Sequence, residues 1–307
     1  MEKKKNFPCK RRSKVELLAP FIQKNKELLE EQLRASVNRM NAPEMIKESM
    51  LYSLEAGGKR IRPMLLFATI DAFGEKIDKG LLTAAAIEMV HTYSLIHDDL
   101  PSMDNDDLRR GRPTNHKVYG DAFAILAGDA LLTYSFQLIA ETADVNADTK
   151  LNLIRELAIA AGAEGMVGGQ VADMNGENRS LTLDELEYIH IHKTGKLLAF
   201  SAVAGALLAG ASSTAIEQFK SFAHHLGLAF QIRDDILDLE GNEEKLGKRV
   251  GSDEFNHKST YPSLLTMDGA KKALAREIEQ AKKILQETGL NTVLLEELTD
   301  LVANRDH

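Results

Sequence analysis

The chain has 307 residues, 44% hydrophobic and 27% charged, and its excess of acidic residues gives a formal net charge of −8. This composition supports a large core and excludes disorder as a description of the whole chain. A single cysteine, Cys9, excludes a disulfide scaffold, and the acidic balance argues against binding nucleic acid through a basic field. No apolar run is expected to reach the roughly 18 residues of a membrane span, and residues 202–211 are the best candidate.

The first 14 residues form a basic segment, with seven Lys or Arg against one acidic residue, Glu2. No apolar region of signal-peptide length follows, so we do not expect a secretory signal. We predict a solvated, mobile tail over residues 1–15. A transit peptide and a contact with anionic lipid are the alternatives.

From residue 15 onward, apolar residues recur at helical spacing, and alternating strand patterns are essentially absent. The predicted helices cover, in chain order, residues 15–33, 44–56, 81–99, 121–142, 150–171, 183–208, 216–239, 270–288 and 293–302. Long loops are predicted at residues 103–118, 174–180 and 241–259, and such loops in a compact helical protein are more often functional than not. We therefore predict one all-α domain over residues 16–307.

The first chemical cluster lies at the end of the helix predicted over residues 81–99, where Asp98 and Asp99 are followed by Pro101. Proline cannot continue a helix without clashing with the carbonyl four residues back. Asp104, six residues after Asp98, does not share its face on an ideal helix, but the break at Pro101 could bring the two together.

A second cluster lies in FQIRDDILDLEG, where Asp234 and Asp238 are four residues apart on one helix face, with Asp235 beside them. Two carboxylates about 4 Å apart repel by roughly 4 kcal/mol at an effective dielectric near 20. Inside a cleft, divalent cations would remove that cost, and hard oxygen ligands suit Mg²⁺. A solvated acidic helix end is the alternative for one cluster alone. Two clusters, each with adjacent arginine, favour the metal interpretation.

Two further motifs carry polar chemistry. In GGKRIRP, residues 57–63, three basic side chains lie at a junction between helices, where backbone N–H groups and cations can bind phosphate. In HKTGK, residues 192–196, a glycine inside a predicted helix would allow a kink that exposes backbone carbonyls and the Thr194 hydroxyl. The alternatives are a basic helix boundary and a tolerated helix glycine.

These parts suit a substrate with a diphosphate head and a hydrocarbon tail. At this constellation the chain resembles the trans-prenyltransferases of the polyprenyl synthetase family, and within it the bacterial-type farnesyl diphosphate synthases. The resemblance runs from about residue 21 to residue 307. The motifs that carry it are, in order, GGKRIRP, DDLPSMDNDDLRRG, GRPTNH, GDALL, GGQ followed by VADM, KTGKL and QIRDDILD.

The resemblance implies an isoprenoid-synthase-type bundle of long helices around a deep central cavity, usually as a homodimer. It implies a prenyltransferase that condenses isopentenyl diphosphate with dimethylallyl and geranyl diphosphates to give (E,E)-farnesyl diphosphate by ionisation, condensation and elimination. A geranylgeranyl or longer-chain polyprenyl diphosphate synthase is the alternative. We expect a cytoplasmic enzyme of isoprenoid biosynthesis with no nucleic-acid partner and no stable membrane insertion.

The resemblance also assigns residues, position by position. Three Mg²⁺ ions, with Mn²⁺ as a substitute, would be held by Asp98, Asp99, Asp104, Asp234, Asp235 and Asp238. The allylic diphosphate would be contacted by Arg109, Lys193, Gln231, Lys248 and Lys258. Isopentenyl diphosphate would be contacted by Lys59, Arg62, His91 and Arg110. Thr194, with the Lys193 carbonyl, would face the developing carbocation, and the expected catalytic residues are Lys193, Thr194, Gln231 and Arg109.

Product length is predicted from Tyr93, which lies five residues before Asp98, about a turn and a half deeper along the same helix. In the family, an aromatic residue at that place goes with a C15 product and smaller residues with C20 or longer. We therefore predict that the Tyr93 ring, followed by the small Ser94, forms the floor of the tail pocket.

Three rival functions were weighed against this prediction. A terpene cyclase is disfavoured by the second aspartate motif and by the site for a second substrate at GGKRIRP. A non-catalytic regulatory subunit would be missing aspartates, and none is missing here. A His–Asp phosphohydrolase would use His97 beside Asp98, but a core or capping role for His97 is the plainer interpretation.

Overall fold

The structure is a computed structural model that describes residues 15–240 and 259–305. Within these ranges the all-α prediction is confirmed, because two strands of two residues each are the only extended elements. The α-helices are α1 (Val15–Asn38), α2 (Glu44–Leu54), α3 (Ile61–Ala72), α4 (Leu81–Asp98), α5 (Asn115–Tyr119), α6 (Asp121–Ala140), α7 (Ala147–Ala161), α8 (Met166–Gly176), α9 (Leu183–Ile189), α10 (Lys196–Leu208), α11 (Ser213–Glu240), α12 (Tyr261–Glu287) and α13 (Val293–Asn304). A 3₁₀ turn covers Ile77–Gly80, a π-helical segment covers His190–Gly195, and the strands are β1 (Leu108–Arg109) and β2 (Arg112–Pro113).

Helices α4 and α10 form the centre of the packing, because alanine and other small residues make both of them apolar on nearly every face. Helix α4 packs along α6 and α3, and α10 lies against α3, α7 and α11. Most of the buried side chains belong to this one cluster. A smaller cluster lies between α11 and α12. The two aspartate clusters therefore stand on rigid helices.

The prediction of a single helix over residues 150–171 is wrong, because the structure has two helices there. Helix α7 ends at Ala161, and α8 begins only at Met166. Gly162 and Gly165 lie between them with non-helical backbones (φ −82°, ψ −158° and φ −133°, ψ −125°). Two glycines three residues apart ended a run whose apolar pattern continued through them. Helix α8 then extends to Gly176, into the loop predicted over residues 174–180.

The predicted loop over residues 103–118 contains a small antiparallel ribbon and the short helix α5. Leu108 pairs with Pro113 and Arg109 with Arg112. The two turn residues, Arg110 and Gly111, both have positive φ (53° and 74°), as a two-residue type I′ turn requires. This ribbon carries the arginines that follow the first aspartate cluster.

The helix predicted over residues 183–208 is continuous, but its middle is the π-helical segment His190–Gly195. π-helical turns inside α-helices are rare and are frequent at functional sites. The segment coincides with the KTG stretch for which the sequence predicted a kink. Helix α11 approaches it closely, since a Cβ on Gly227 would lie 3.0 Å from the Gly195 Cα.

The sequence indicated residues 202–211 as the best candidate for a membrane span, but the structure indicates helix α6 instead. Among the described helices, α6 alone is long and apolar enough to cross a membrane by length and composition. Only 44% of its most apolar stretch is buried within the protein, and Phe123, Ile125 and Leu126 are exposed. Core helices of globular proteins pass the same test, and α6 packs against the core helix α4.

Candidate active site

The first aspartate cluster lies where α4 ends and the chain turns back on itself. The Asp104 backbone N–H donates to the Asp98 carbonyl over 2.8 Å, so the turn after Pro101 returns Asp104 to the helix end. Asn105, with φ of 54°, donates its backbone N–H to the Leu100 carbonyl over 3.1 Å and closes the turn. The expectation that a break at Pro101 reunites Asp98 and Asp104 is thereby met at the level of the backbone.

Asp98 and Asp99 have different surroundings although they are adjacent. Burial raises the pKa of Asp98 to about 6, the nearby carboxylates Asp104 and Asp99 add to the rise, and Lys193 and Arg109 oppose it. Asp99 is 3% exposed and accepts from the Arg109 guanidinium, with Nε at 2.9 Å and Nη2 closer still. Burial nevertheless raises the pKa of Asp99. Arg109 therefore binds the buried carboxylate of Asp99, whereas Asp98 lies among charges of both signs and its pKa is raised mainly by burial.

The second aspartate cluster is held by residues distant in the chain. The Asp234 carboxylate lies 2.6 Å from the Arg305 guanidinium, near the end of the chain. Asp235 is 5% exposed, and its Oδ2 lies 2.9 Å from the Tyr261 backbone N and 3.1 Å from His190 Nε2. Asp238 is 1% exposed.

Two arginines at the GGKRIRP junction, Arg60 of the motif and Arg110 of the ribbon, have different surroundings. Arg110 donates from Nη1 to the Gly57 carbonyl, and its guanidinium lies so close to Gly58 that a Cβ there would be 2.7 Å from Nη1. Gly58 also has φ of 127°, so only glycine suits this place. Arg60 is 3% exposed and pairs with the buried Glu88 over 2.5 Å. Arg60 is therefore structural, whereas Arg110 lies at the surface of the turn beside the exposed Lys59.

Arg62 and His91 line a cavity of about 500 Å³. Burial lowers the pKa of Arg62 to about 10, although Glu88 and Asp234 act in the opposite direction. The Arg62 Nε is buried and has no hydrogen-bond partner among the described residues. Burial, and then the guanidinium groups of Arg62 and Arg110, hold the pKa of His91 well below its usual value. A buried, unpartnered donor in a positive field is the arrangement that an anion would complete.

The remainder of this cavity is largely apolar. Its lining includes Leu95, Leu100, Met103, Ile125, Met166, Val167, Val171 and Met174, together with Ser94. Tyr93 also lines it, is 6% exposed, and packs edge-on against His97 with ring centroids 5.7 Å apart. His97 in turn lies against Gly128 of α6, where a Cβ would be 2.1 Å from its Nε2. The Tyr93 ring thus packs on His97, which in turn packs closely against α6.

The position of His97 argues against the phosphohydrolase alternative. Its Nε2 lies 3.1 Å from the Ile125 carbonyl, and its ring packs on Tyr93. His97 is half-buried and also lines the cavity, but it has a ring partner and a backbone partner, so the structure favours a packing role for this residue.

The π-helical segment joins the two parts of the site. Lys193 and Thr194 line the 500 Å³ cavity, and both also line a second cavity of about 150 Å³ with Gln231 and Asp235. The Lys193 ammonium pairs with Asp173 of α8 over 2.7 Å. Within the described residues, the predicted site residues that line one or both of these cavities are Arg62, His91, Tyr93, Ser94, Asp98, Lys193, Thr194, Gln231 and Asp235. Asp99, Arg109 and Arg110 line a smaller cavity of about 30 Å³ instead. Lys59, Asp104, Asp234 and Asp238 line none of these three cavities. Lys248 and Lys258 lie outside the described residues.

Four polar residues of this region had no role assigned from the sequence: Gln170 and Asp173, which lie in the motifs GGQ and VADM, and His190 and Arg305. Gln170 and Asp173 are three residues apart on α8, and such an i, i+3 polar pair in an apolar helix was a usable signal. His190 and Arg305 gave no comparable signal, because their partners are 45 and 71 positions away (235 − 190 and 305 − 234).

The carboxylates fit a divalent cation only with help from a bound anion. No group of three or more His, Cys, Asp or Glu is arranged to hold a metal ion within residues 15–240 and 259–305. Mg²⁺ prefers oxygen ligands and is usually bound by one or two carboxylates plus substrate phosphates. The carboxylates around Asp98, beside a positive field at Arg62, match that donor set.

The chain is similar in sequence and in fold to known proteins. The model of a family described as polyprenyl synthetase matches residues 43–297. The chain is 58% identical over 289 residues to a farnesyl diphosphate synthase of Geobacillus stearothermophilus, a match that covers 94% of this chain and 97% of the relative. It is 56% identical to a farnesyl diphosphate synthase of Bacillus subtilis, with 94% and 99% covered. A crystal structure of an FPP/GFPP synthase from Zymomonas mobilis superposes with a TM-score of 0.82 at 34% identity, covering 92% of this chain and 99% of that one.

Proposed function

The chain belongs to the polyprenyl synthetase family, and from that premise we propose that it is a prenyltransferase that makes (E,E)-farnesyl diphosphate. Its substrates are isopentenyl diphosphate and, in turn, dimethylallyl and geranyl diphosphates. The observation that carries the proposal is the cavity of about 500 Å³, which combines Asp98, Arg62 and Lys193 with an apolar lining that includes Tyr93. A diphosphate head and a hydrocarbon tail match those two kinds of surface.

Asp98, Asp99 and Asp104 of the first cluster and Asp234, Asp235 and Asp238 of the second would hold Mg²⁺, or Mn²⁺ in its place, with three ions per site. Asp99 would act mainly through Arg109, because its carboxylate is already engaged by that guanidinium. The chemistry that bound Mg²⁺ supplies is neutralisation of the departing diphosphate. The family supports a divalent cation, and the choice and number of ions are part of the proposal.

The allylic diphosphate is bound by Arg109, Lys193, Gln231, Lys248 and Lys258. The support comes from Lys193 and Gln231, which line the cavity that also includes Asp235. The ion pair with Asp173 fixes the position of the Lys193 ammonium, so little side-chain entropy is lost when the diphosphate binds. Thr194 and the Lys193 carbonyl lie on the π-helical segment and would face the carbocation that forms when the diphosphate leaves.

Isopentenyl diphosphate is bound by Lys59, Arg62, His91 and Arg110. The unpartnered Arg62 Nε and the positive field around His91 support this assignment. Preorganised cations act where negative charge must be held, and they are stronger in a site from which water is excluded.

The bond changes require no protein base. The allylic C–O bond breaks and the diphosphate leaves with the bonding electrons. The double bond of isopentenyl diphosphate then forms the new C–C bond, and the resulting cation loses a proton to the released diphosphate. The task of the protein is to orient the two substrates and to exclude water, which would capture the cation. The apolar side chains that line the cavity suit that task.

A product assay tests the proposal. Purified protein is incubated with labelled isopentenyl diphosphate, dimethylallyl diphosphate and Mg²⁺, with EDTA as control, and the dephosphorylated alcohols are separated by length. We expect mainly the C15 alcohol, lost with EDTA. C20 or longer products would retain the chemistry and favour the geranylgeranyl or longer-chain alternative. Absence of condensation with any allylic primer would contradict the proposal.

Tyr93→Ala tests the floor of the tail pocket in the same assay. Removal of a nearly buried ring that lines the cavity should lengthen the product beyond C15. The matched control is Tyr188→Ala on α9, since Tyr188 is 46% exposed and does not line that cavity. An unchanged product length for Tyr93→Ala would show that the floor is elsewhere.

The organisation of the protein completes the proposal: a single prenyltransferase domain over residues 16–307, cytoplasmic, and paired as a homodimer. The exposed apolar residues Phe123 and Leu126 of α6 support the homodimer. Light scattering should give twice the chain mass, and Phe123→Glu should reduce it. Leu17→Glu on α1, also at an exposed leucine, serves as the control.

A further inference from the structure

The buried surroundings of Asp235 form a polar network that none of the proposed substrate contacts uses. Among the described residues, both hydrogen bonds to the Asp235 carboxylate are made to one oxygen, Oδ2, from the Tyr261 backbone N at 2.9 Å and from His190 Nε2 at 3.1 Å. His190 is 7% exposed and Tyr261 is 0% exposed. Their rings stack nearly parallel, with an interplanar angle of 11° and centroids 5.8 Å apart.

The direction of the His190 hydrogen bond follows from its partner. A carboxylate can only accept from a neutral or charged imidazole, so Nε2 carries the proton toward Asp235 in either form. The Tyr261 hydroxyl donates to Glu187 over 2.7 Å, which fixes the ring on which His190 stacks. The imidazole is therefore held in place by stacking on Tyr261, and its Nε2–H donates to Asp235 Oδ2.

The contact between His190 and Asp235 ties the second aspartate cluster to the π-helical segment. His190 is the first residue of the π-helical segment that also carries Lys193 and Thr194. Lys193 connects the segment to Asp173 of α8, and His190 connects it to Asp235 of α11. All five side chains line the cavity of about 150 Å³. The segment is thus anchored on both sides of the proposed diphosphate site.

We propose that His190 is a positioning residue for the second aspartate cluster: by donating to Oδ2, it turns the Asp235 carboxylate so that Oδ1 is presented to the cation and diphosphate. The inference rests on the proposed function, because it assumes that this cluster binds a divalent cation. Substitution of a residue that orients a metal ligand in this way typically lowers the metal affinity 10–100-fold.

Binding of Mn²⁺ in the presence of inorganic diphosphate, followed by electron paramagnetic resonance, tests the inference without turnover. His190→Phe retains a ring to stack on Tyr261 and loses the donor, whereas His190→Gln loses the ring and retains an N–H donor. We expect His190→Phe to raise the dissociation constant of Mn²⁺ about tenfold or more. His190→Gln should stay within about threefold of the unsubstituted protein.

His192→Phe is the matched control, since it makes the same change two residues away. In the part of the chain that the structure describes, the ring contact and the hydrogen bond of His192 are both to Tyr188, with its Nδ1 2.7 Å from the Tyr188 carbonyl. The melting temperature of each variant reports folding. Should His190→Phe not fold, His190→Asn replaces it, because the shorter amide cannot reach Oδ2.

The outcomes separate this inference from the function on which it rests. If the unsubstituted protein binds no Mn²⁺ with diphosphate, the proposed metal site fails, and the inference fails with it. If it binds Mn²⁺ and His190→Phe binds equally well, only the role of His190 is contradicted. Equal weakening in His190→Phe and His190→Gln would assign His190 a packing role and overturn the proposal.

Discussion

The two aspartate clusters are similar in sequence and differ in what holds them. The first is organised locally: Arg109, ten residues after Asp99, binds it, and the Asp104 backbone returns to Asp98 within six residues. The second depends on distant parts of the chain, because its partners include His190, Tyr261 and Arg305. The first cluster therefore depends on one loop, and the second on the packing of four elements.

The clusters also differ in charge balance. In the first cluster, burial and then the neighbouring carboxylates Asp104 and Asp99 raise the pKa of Asp98 to about 6, against the opposing charges of Lys193 and Arg109. In the second, Asp234 faces the Arg305 guanidinium and Asp235 faces two N–H donors. We expect the first cluster to respond more strongly to the loss of a charge or of a cation, and the second to the loss of a distant hydrogen bond.

The largest expected effect is that of Asp98→Asn on turnover. Loss of this carboxylate should lower kcat about 10²–10³-fold, comparable to the loss of one group that stabilises charge in a transition state. The measurement is steady-state condensation at saturating Mg²⁺. Asp107→Asn in the same loop is the control, because Asp107 is 75% exposed and pairs with Lys117. A similar loss in both variants would contradict a special role for Asp98.

The contrast explains what could be predicted from the sequence. The turn that returns Asp104 to Asp98 could be predicted because it is set by Pro101 and the next few residues, which can be seen in one short window. The fold class followed from the repeat of apolar residues. The break between α7 and α8 was missed, because Gly162 and Gly165 overrode an alanine-rich pattern that otherwise continues.

The contacts of the second cluster could not be predicted in the same way. Nothing near Asp234 indicates that Arg305 will lie 2.6 Å away, since that contact arises only when α13 packs beside α11. The use of Arg60 is a second example. Its buried pairing with Glu88 depends on α3 packing against α4, and from sequence it was one of three equivalent basic residues.

A smaller effect, on stability, should distinguish the two arginine contacts. Arg109→Lys and Arg305→Lys both retain the charge, so they test the geometry of the contact. Asp99 is 3% exposed and receives two guanidinium nitrogens, and we expect Arg109→Lys to cost about 1–2 kcal/mol of unfolding free energy. The Asp234 side chain is 45% exposed, but the Arg305 side chain is only 8% exposed, donates to the Phe230 carbonyl over 2.7 Å and stacks on the Phe230 ring. Arg305→Lys should therefore cost more, about 2 kcal/mol or above. Urea unfolding with EDTA measures both values, and the reverse order would contradict the comparison.

The last effect is a pH dependence of stability caused by Asp98. Its pKa is raised from an ordinary value near 3.8 to about 6 in the folded protein, so the folded state binds the proton more tightly than the unfolded state. Unfolding then releases protons between about pH 4 and 6, and the free energy of unfolding falls as the pH rises through that window. Asp98→Asn has no carboxylate to titrate and should lose this component.

Urea unfolding in EDTA at pH 4.5 and pH 7, two values chosen at roughly either side of that window, measures the difference. Relative to the unsubstituted protein, Asp98→Asn should gain stability at the higher pH and little at the lower. Asp107→Asn again serves as control, because its side chain is exposed and its pKa is lowered by Lys117. An equal gain at both pH values would mean that Asp98 is already ionised at the lower one. The raised pKa of Asp98 would then not distinguish the first cluster from the second.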